Sequence, residues 1–98
     1  MTRTRIKFCG MSRVADAMLA AQLGVDAIGL VFYPNSPRHV ELKTAQAIAE
    51  QMPAFVSVVG LVVDPTPELV NDILAQVPLD MLQFHKCYRQ RFRHLHFH

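Results

Sequence analysis

Apolar positions along this chain follow two alternating rhythms. From Arg3 to Cys9 the period is two, with Ile6 and Phe8 on one face and Arg5, Lys7 and Cys9 on the other. That pattern predicts a strand closed by Gly10. Over about 13–23 the period lengthens to that of a helix, with Val14, Ala17, Met18 and Ala21 on one stripe, Ser12 as N-cap and Gly24 placed to end it. Asp26–Phe32 is a short apolar run of the kind found in buried parallel strands. A loop, Tyr33–Val40, precedes a second helix at about 41–52, whose stripe is Leu42, Ala45, Ala49 and Met52 with Ile48 beside it and Pro53 as its stop. Phe55–Val63 is valine-rich and predicts a third strand. Thr66 and Pro67 then open a third helix at about 67–77 that buries Leu69, Val70, Ile73 and Val77, and Asp80–His85 predicts a fourth strand after Pro78.

The resulting order, β-α-β-α-β-α-β, is that of an α/β protein with parallel strands. Two architectures share it: part of a (β/α)8 barrel, and a small doubly wound sheet. A whole barrel needs roughly 200–250 residues, and this chain has 98.

Charge divides the chain in two. The formal net charge is +2, yet residues 1–85 carry six Lys/Arg against all eight acids, net −2. Residues 86–98 carry Lys86, Arg89, Arg91 and Arg93 with no acid, net +4, together with His94, His96 and His98. Such a shift marks a boundary, with a folded unit over 1–85 and a basic tail over 86–98. With 51% hydrophobic and 18% charged residues, the composition is that of a globular chain. No apolar run approaches the roughly 18 residues of a membrane helix, and Met1–Lys7 is basic without a following signal-peptide core. Cys9 and Cys87 make no disulfide framework, which fits a reducing compartment. The expected location is the cytoplasm.

In parallel α/β folds, functional groups gather at the C-terminal ends of the strands. Those ends carry Cys9, Asp64, Gln83 and His85, and the loop after the second strand adds Ser36-Pro37-Arg38. Each has two readings. Cys9 is either a small buried hydrophobe or, beside Lys7, a reactive thiol. His85 is either a core histidine or a site residue. Arg38 is either solvated or a fork for carboxylate or phosphate, and Asp64 is either a turn residue or a ligand group. The glycines are isolated and form no phosphate loop, and no Cys or His pair before residue 86 has zinc-ligand spacing.

Taken jointly, the motifs say more. Lys7-Phe8-Cys9-Gly10, Gly24-Val25-Asp26-Ala27-Ile28-Gly29-Leu30-Val31-Phe32, Ser36-Pro37-Arg38-His39-Val40, Val59-Gly60-Leu61-Val62-Val63-Asp64 and Leu82-Gln83-Phe84-His85 occur in this order. The pattern resembles the N-terminal half of the phosphoribosylanthranilate isomerase family of tryptophan biosynthesis. The resemblance implies a partial (β/α)8 barrel and an Amadori rearrangement of a small-molecule substrate, N-(5-phosphoribosyl)anthranilate, without cofactor or metal. It also implies Cys9 as general base, Arg38 facing the anthranilate carboxylate, and His85 and Asp64 lining the substrate site. The family's general acid and phosphate site lie in its second half, and no position here matches them. Where the family continues with Gly-Asp-Glu after the histidine, this chain has Lys86-Cys87-Tyr88, which reads as a frame change or an aberrant end. The expectation is therefore a truncated, inactive form that self-associates through exposed half-barrel surface. A second reading is a non-catalytic fragment whose tail contacts nucleic acid through its cations and Tyr88, Phe92 and Phe97, or holds metal adventitiously through His94, His96 and His98. Thirteen residues without a recognised module make nucleic acid the less expected partner.

Overall fold

The computed structural model describes residues 5–85. Residues 1–4 and 86–98 lie outside them, and with them Cys87 and every group assigned above to the basic tail. Seven elements follow one another: β1 (Lys7–Phe8), α1 (Val14–Gln22), β2 (Ala27–Val31), α2 (Leu42–Gln51), β3 (Ser57–Val63), α3 (Pro67–Gln76) and β4 (Met81–His85). The strands form one parallel sheet in the order β1-β2-β3-β4. α1 packs on α2 and α2 on α3. A doubly wound sheet reverses its strand order at a switch point and carries helices on both faces. Here each strand lies beside its predecessor and the helices share one face, so the fold is part of a (β/α)8 barrel.

Alternation along the strands sorts the side chains. Ile28, Leu30, Val58, Val62 and Leu82 point to the helices and are buried against Ala17 and Ala20 of α1, Ala45, Ile48 and Ala49 of α2, and Val70 and Ile73 of α3. The alanines on α1 and α2 let those helices approach closely. The intervening residues, Ala27, Gly29 and Val31, then Ser57, Val59, Leu61 and Val63, then Met81, Gln83 and His85, face the opposite side. No helix among the described residues covers that open face. In a closed barrel it would be the interior.

Local chemistry explains most element ends. α1 ends in a left-handed glycine, Gly24 (φ +88°). The Gly24 N–H donates to the Ala21 carbonyl (3.1 Å) and the Val25 N–H to the Ala20 carbonyl (3.4 Å), the paired bonds of a Schellman motif. α3 opens as expected, with the Thr66 hydroxyl accepting from the Leu69 N–H at 3.2 Å and Pro67 in the first turn.

Other expectations need correction. α1 starts one residue later than expected, so its cap position holds Arg13 rather than Ser12 and no side chain caps it. Its buried stripe is Ala17 and Ala20, while Met18 turns outward. Of the strand expected from Arg3 to Cys9, Lys7 and Phe8 pair with β2, and Arg3 and Thr4 lie outside the described residues. Phe55 is not in β3. The Val56 N–H donates to the Pro53 carbonyl in a turn that leaves Phe55 76% exposed.

At the N-terminal edge of the sheet, one device occurs twice. The Asp26 N–H donates to the Ile6 carbonyl (2.8 Å), and the Asp26 carboxylate accepts from the Ile6 N–H (2.7 Å). The Asp80 N–H donates likewise to the Val58 carbonyl (2.8 Å), and its carboxylate accepts from the Val58 N–H (2.6 Å). Each aspartate clamps one residue of the preceding strand by both its backbone groups, fixing the register of β1 on β2 and of β3 on β4.

Candidate active site

The mouth of the sheet is built from its C-terminal edge. Cys9 follows β1 directly, and its thiol is free and exposed on the open face. It lies against Gly29 of β2, whose carbonyl accepts from both the Gly10 and the Met11 N–H (3.0 Å each). These bonds turn the chain sharply after Cys9, with Gly10 at φ +79°, a conformation that strains any residue with a Cβ.

The loop between β2 and α2 brings in Arg38. The Ser36 N–H donates to the Tyr33 carbonyl (2.9 Å), and the Ser36 hydroxyl and carbonyl accept from the N–H groups of Arg38 and His39 (3.1 Å each). The Val40 N–H then returns to the Val31 carbonyl (2.9 Å), and Val40 is buried. This folding-back anchors the loop by its valine and sends the arginine toward β1. The Arg38 stem lies across Gly10. Its Cδ occupies the space a Cβ at position 10 would need, and its Nη1 lies 3.2 Å from that point. Cys9 and Arg38 come from segments almost thirty residues apart in sequence; a single glycine after the thiol carries the guanidinium's stem.

Asp64 and His85 occupy a second station. His85 closes β4 opposite Val63, and Asp64 follows Val63. Both are exposed. Asp64 takes φ +42°, a left-handed conformation uncommon outside glycine. In register, Cys9 is level with Gly29, Val59 and Met81. His85 therefore lies four residues farther along the sheet, about 13 Å at the rise of a strand. This climb is the stagger of tilted barrel strands. The structure thus lays Arg38 against Gly10, the residue after Cys9, and sets Asp64 and His85 at the ends of adjacent strands. The sequence reading missed Gly10 and Gly29, although a glycine inside a strand is itself a signal of close approach.

A cleft of about 370 Å³ lies behind the same loop, lined among others by Phe32, His39, Glu41, Lys43 and Leu69. None of the four candidate residues lines it. Among the described residues, no three His, Cys, Asp or Glu side chains are grouped as a metal ion would require, and no helix is long and apolar enough to cross a membrane.

The family model for N-(5'-phosphoribosyl)anthranilate isomerase matches residues 6–96. The chain belongs to this family. It is 56% identical over 85 residues to the isomerase of Azotobacter vinelandii, a match covering 87% of this chain and 41% of that protein. It is 57% identical over 83 residues to the isomerase of Halorhodospira halophila, covering 85% of this chain and 40% of the other. Among solved structures, the isomerase of Thermotoga maritima superposes with a TM-score of 0.79 at 37% identity, covering 85% of this chain and 40% of that one. A phosphoribosylanthranilate isomerase solved with reduced 1-(o-carboxyphenylamino)-1-deoxyribulose 5-phosphate gives the same TM-score and identity, with 43% of its chain covered. The resemblance read from the motifs is thus established for the fold and the family. The chain spans about two fifths of the length of these relatives.

Proposed function

We propose that the mouth formed by Cys9 and Arg38 is one half of an active site for the isomerisation of N-(5-phosphoribosyl)anthranilate, with Cys9 as general base and Arg38 as carboxylate ligand. The observation that carries this reading is their convergence on the Cys9–Gly10 turn. The compound bound by the relative described above has a carboxyphenyl group next to a pentose phosphate, so a base and an anion fork drawn to one turn suit a molecule of that class.

The chemistry follows from the substrate. An acid protonates the furanose oxygen, and the anthranilate nitrogen expels it from C1′, leaving an iminium. That cation acidifies the C2′ hydrogen, so a modest base suffices if it is well placed. The Cys9 thiolate takes the proton, the C–H electron pair becomes the C1′=C2′ bond, and the iminium electrons return to nitrogen. The enolamine then tautomerises to the ketose. Because the iminium is the electron sink, the reaction needs no cofactor. Asp64 and His85, farther along the mouth, line the path of the sugar. The acid and the phosphate-binding groups belong, in this reading, to the part of the family chain that this one does not span. Such an enzyme would work in the cytoplasm, where an exposed thiol stays reduced.

The test is a chimaera in which this chain's residues 5–85 replace their counterpart in the A. vinelandii relative. Turnover of phosphoribosylanthranilate, read by loss of its fluorescence, is expected. Cys9→Ser in the chimaera should lower kcat by about 10²-fold or more, the low end for acid–base catalysis. Turnover close to that of the parent chimaera would remove Cys9 from the role.

A further inference from the structure

We propose that Gly29, in the middle of β2, is the positioning residue for the Cys9 thiol. The assignment rests on the isomerase reading for the use made of Cys9, while the contact itself stands without it. Gly29 pairs with Val59 in the ladder and does not take a positive φ, so its backbone asks for no glycine. A glycine inside a strand costs stability through lost entropy and packing, and something else must require it. The neighbour that does so is Cys9. A methyl at position 29 would lie 3.2 Å from the Cys9 Cα, 3.3 Å from its Sγ and 3.5 Å from its Cβ.

The other strand glycine, Gly60, shows the contrast. Its missing Cβ makes room for Leu79, Leu82 and Phe32, which are core side chains on the helix face. Gly29 is the strand glycine of the open face, and what it admits is Cys9, backbone Cα and thiol together. The same residue holds the turn after Cys9, through the two N–H bonds its carbonyl accepts from Gly10 and Met11. Gly10 in turn carries the Arg38 stem. The three layers, Gly29, then Cys9 and Gly10, then Arg38, set base and anion fork relative to one another from a single point on β2. A methyl at 29 would press on the Cys9 Cα as well as on its thiol, so that Cys9 and the thiol it carries would have to shift by a few tenths of an ångström.

Alkylation of Cys9 by iodoacetamide tests this on the 98-residue chain itself, without needing turnover. Cys87→Ser is present throughout, so that one thiol reports. Gly29→Ala is expected to slow alkylation by about threefold to tenfold, the scale of a side chain held off its preferred rotamer, with unchanged far-UV circular dichroism. A merely structural defect would do the opposite, since an opened chain alkylates at the rate of a free thiol. An unchanged or faster rate in a folded Gly29→Ala chain overturns the proposal. If Gly29→Ala does not fold, Gly29→Ala/Cys9→Ala decides. Recovery of the fold in the double variant shows that the thiol, at 3.3 Å, is the group the methyl displaces, and a double variant as unfolded as the single one shows that it is the Cys9 Cα, at 3.2 Å, which overturns a positioning of the thiol. Failure of the chimaera to turn over substrate would overturn the isomerase reading and leave these alkylation rates as they are.

Discussion

At the scale of single residues, the site depends on two groups whose surroundings differ from the bland alternatives. Cys9 is an exposed thiol seated on a glycine rather than a core filler. Arg38 is exposed too, yet its stem is laid over Gly10, and its backbone N–H is held by the Ser36 hydroxyl. The position of the guanidinium is therefore built into the loop. Arg38→Ala in the chimaera should weaken substrate binding by roughly 1.5–3 kcal/mol, as for a hydrogen bond to a charged group. The effect should appear mainly in KM. Unchanged KM and kcat would show that the arginine serves the loop and not the substrate. Ser36→Ala offers a milder check of the same geometry. It removes one neutral hydrogen bond, worth about 1 kcal/mol, and should raise KM less than Arg38→Ala does.

At the scale of elements, the two aspartate clamps and the helix caps make separable predictions. Asp80 holds the Val58 N–H in a half-buried position. Asp80→Ala should lower stability by about 1–2 kcal/mol, the cost of leaving a partly buried donor unpaired, read as a lower urea midpoint. It should leave Cys9 alkylation unchanged, because Asp80 lies at the opposite edge of the sheet from the mouth. In parallel barrels the N-terminal edge serves stability and the C-terminal edge serves chemistry. Thr66→Ala should cost about 1 kcal/mol by removing the cap on α3. α1 has no side-chain cap to lose, so Arg13→Ala should move the midpoint less than Thr66→Ala. The reverse order would show that the cap on α3 contributes little.

For the whole molecule, the decisive feature is that the described residues cover only one face of the sheet. Ala27, Val31, Leu61 and Val63 are half-buried and Met81 is 45% exposed, all on the open face. β1 and β4 stand at the two edges. Unpaired edges and apolar patches both drive association. We therefore infer that the 98-residue chain self-associates and does not turn over phosphoribosylanthranilate unaided. Light scattering coupled to size exclusion should give a mass above that of one 11.1 kDa chain. A monodisperse monomer with isomerase turnover would refute both statements.

How far the fold was legible can be judged from particular residues. Period-two and helical spacing are local properties, so the strands and helices, the covered stripe of α2 and α3, and the caps at Thr66 and Gly24 could all be read from the chain alone. The errors were local as well: a cap one residue off at Ser12, a stripe on α1 turned away from Met18, and Phe55 assigned to a strand when Pro53 closes a turn beneath it. The positions of Cys9, Arg38, Asp64 and His85 at the mouth were visible, because strand ends are visible. Their grouping was not. Whether the sheet winds one way or doubles back depends on which strand pairs with which, and spacing within a strand does not record its partner. The approach of Arg38 to the Cys9–Gly10 turn, and the climb of about 13 Å that separates that turn from His85, follow from interstrand register and from a loop that folds back on Val31. Those are long-range hydrogen bonds and packing contacts, and they take effect only once the chain has closed on itself.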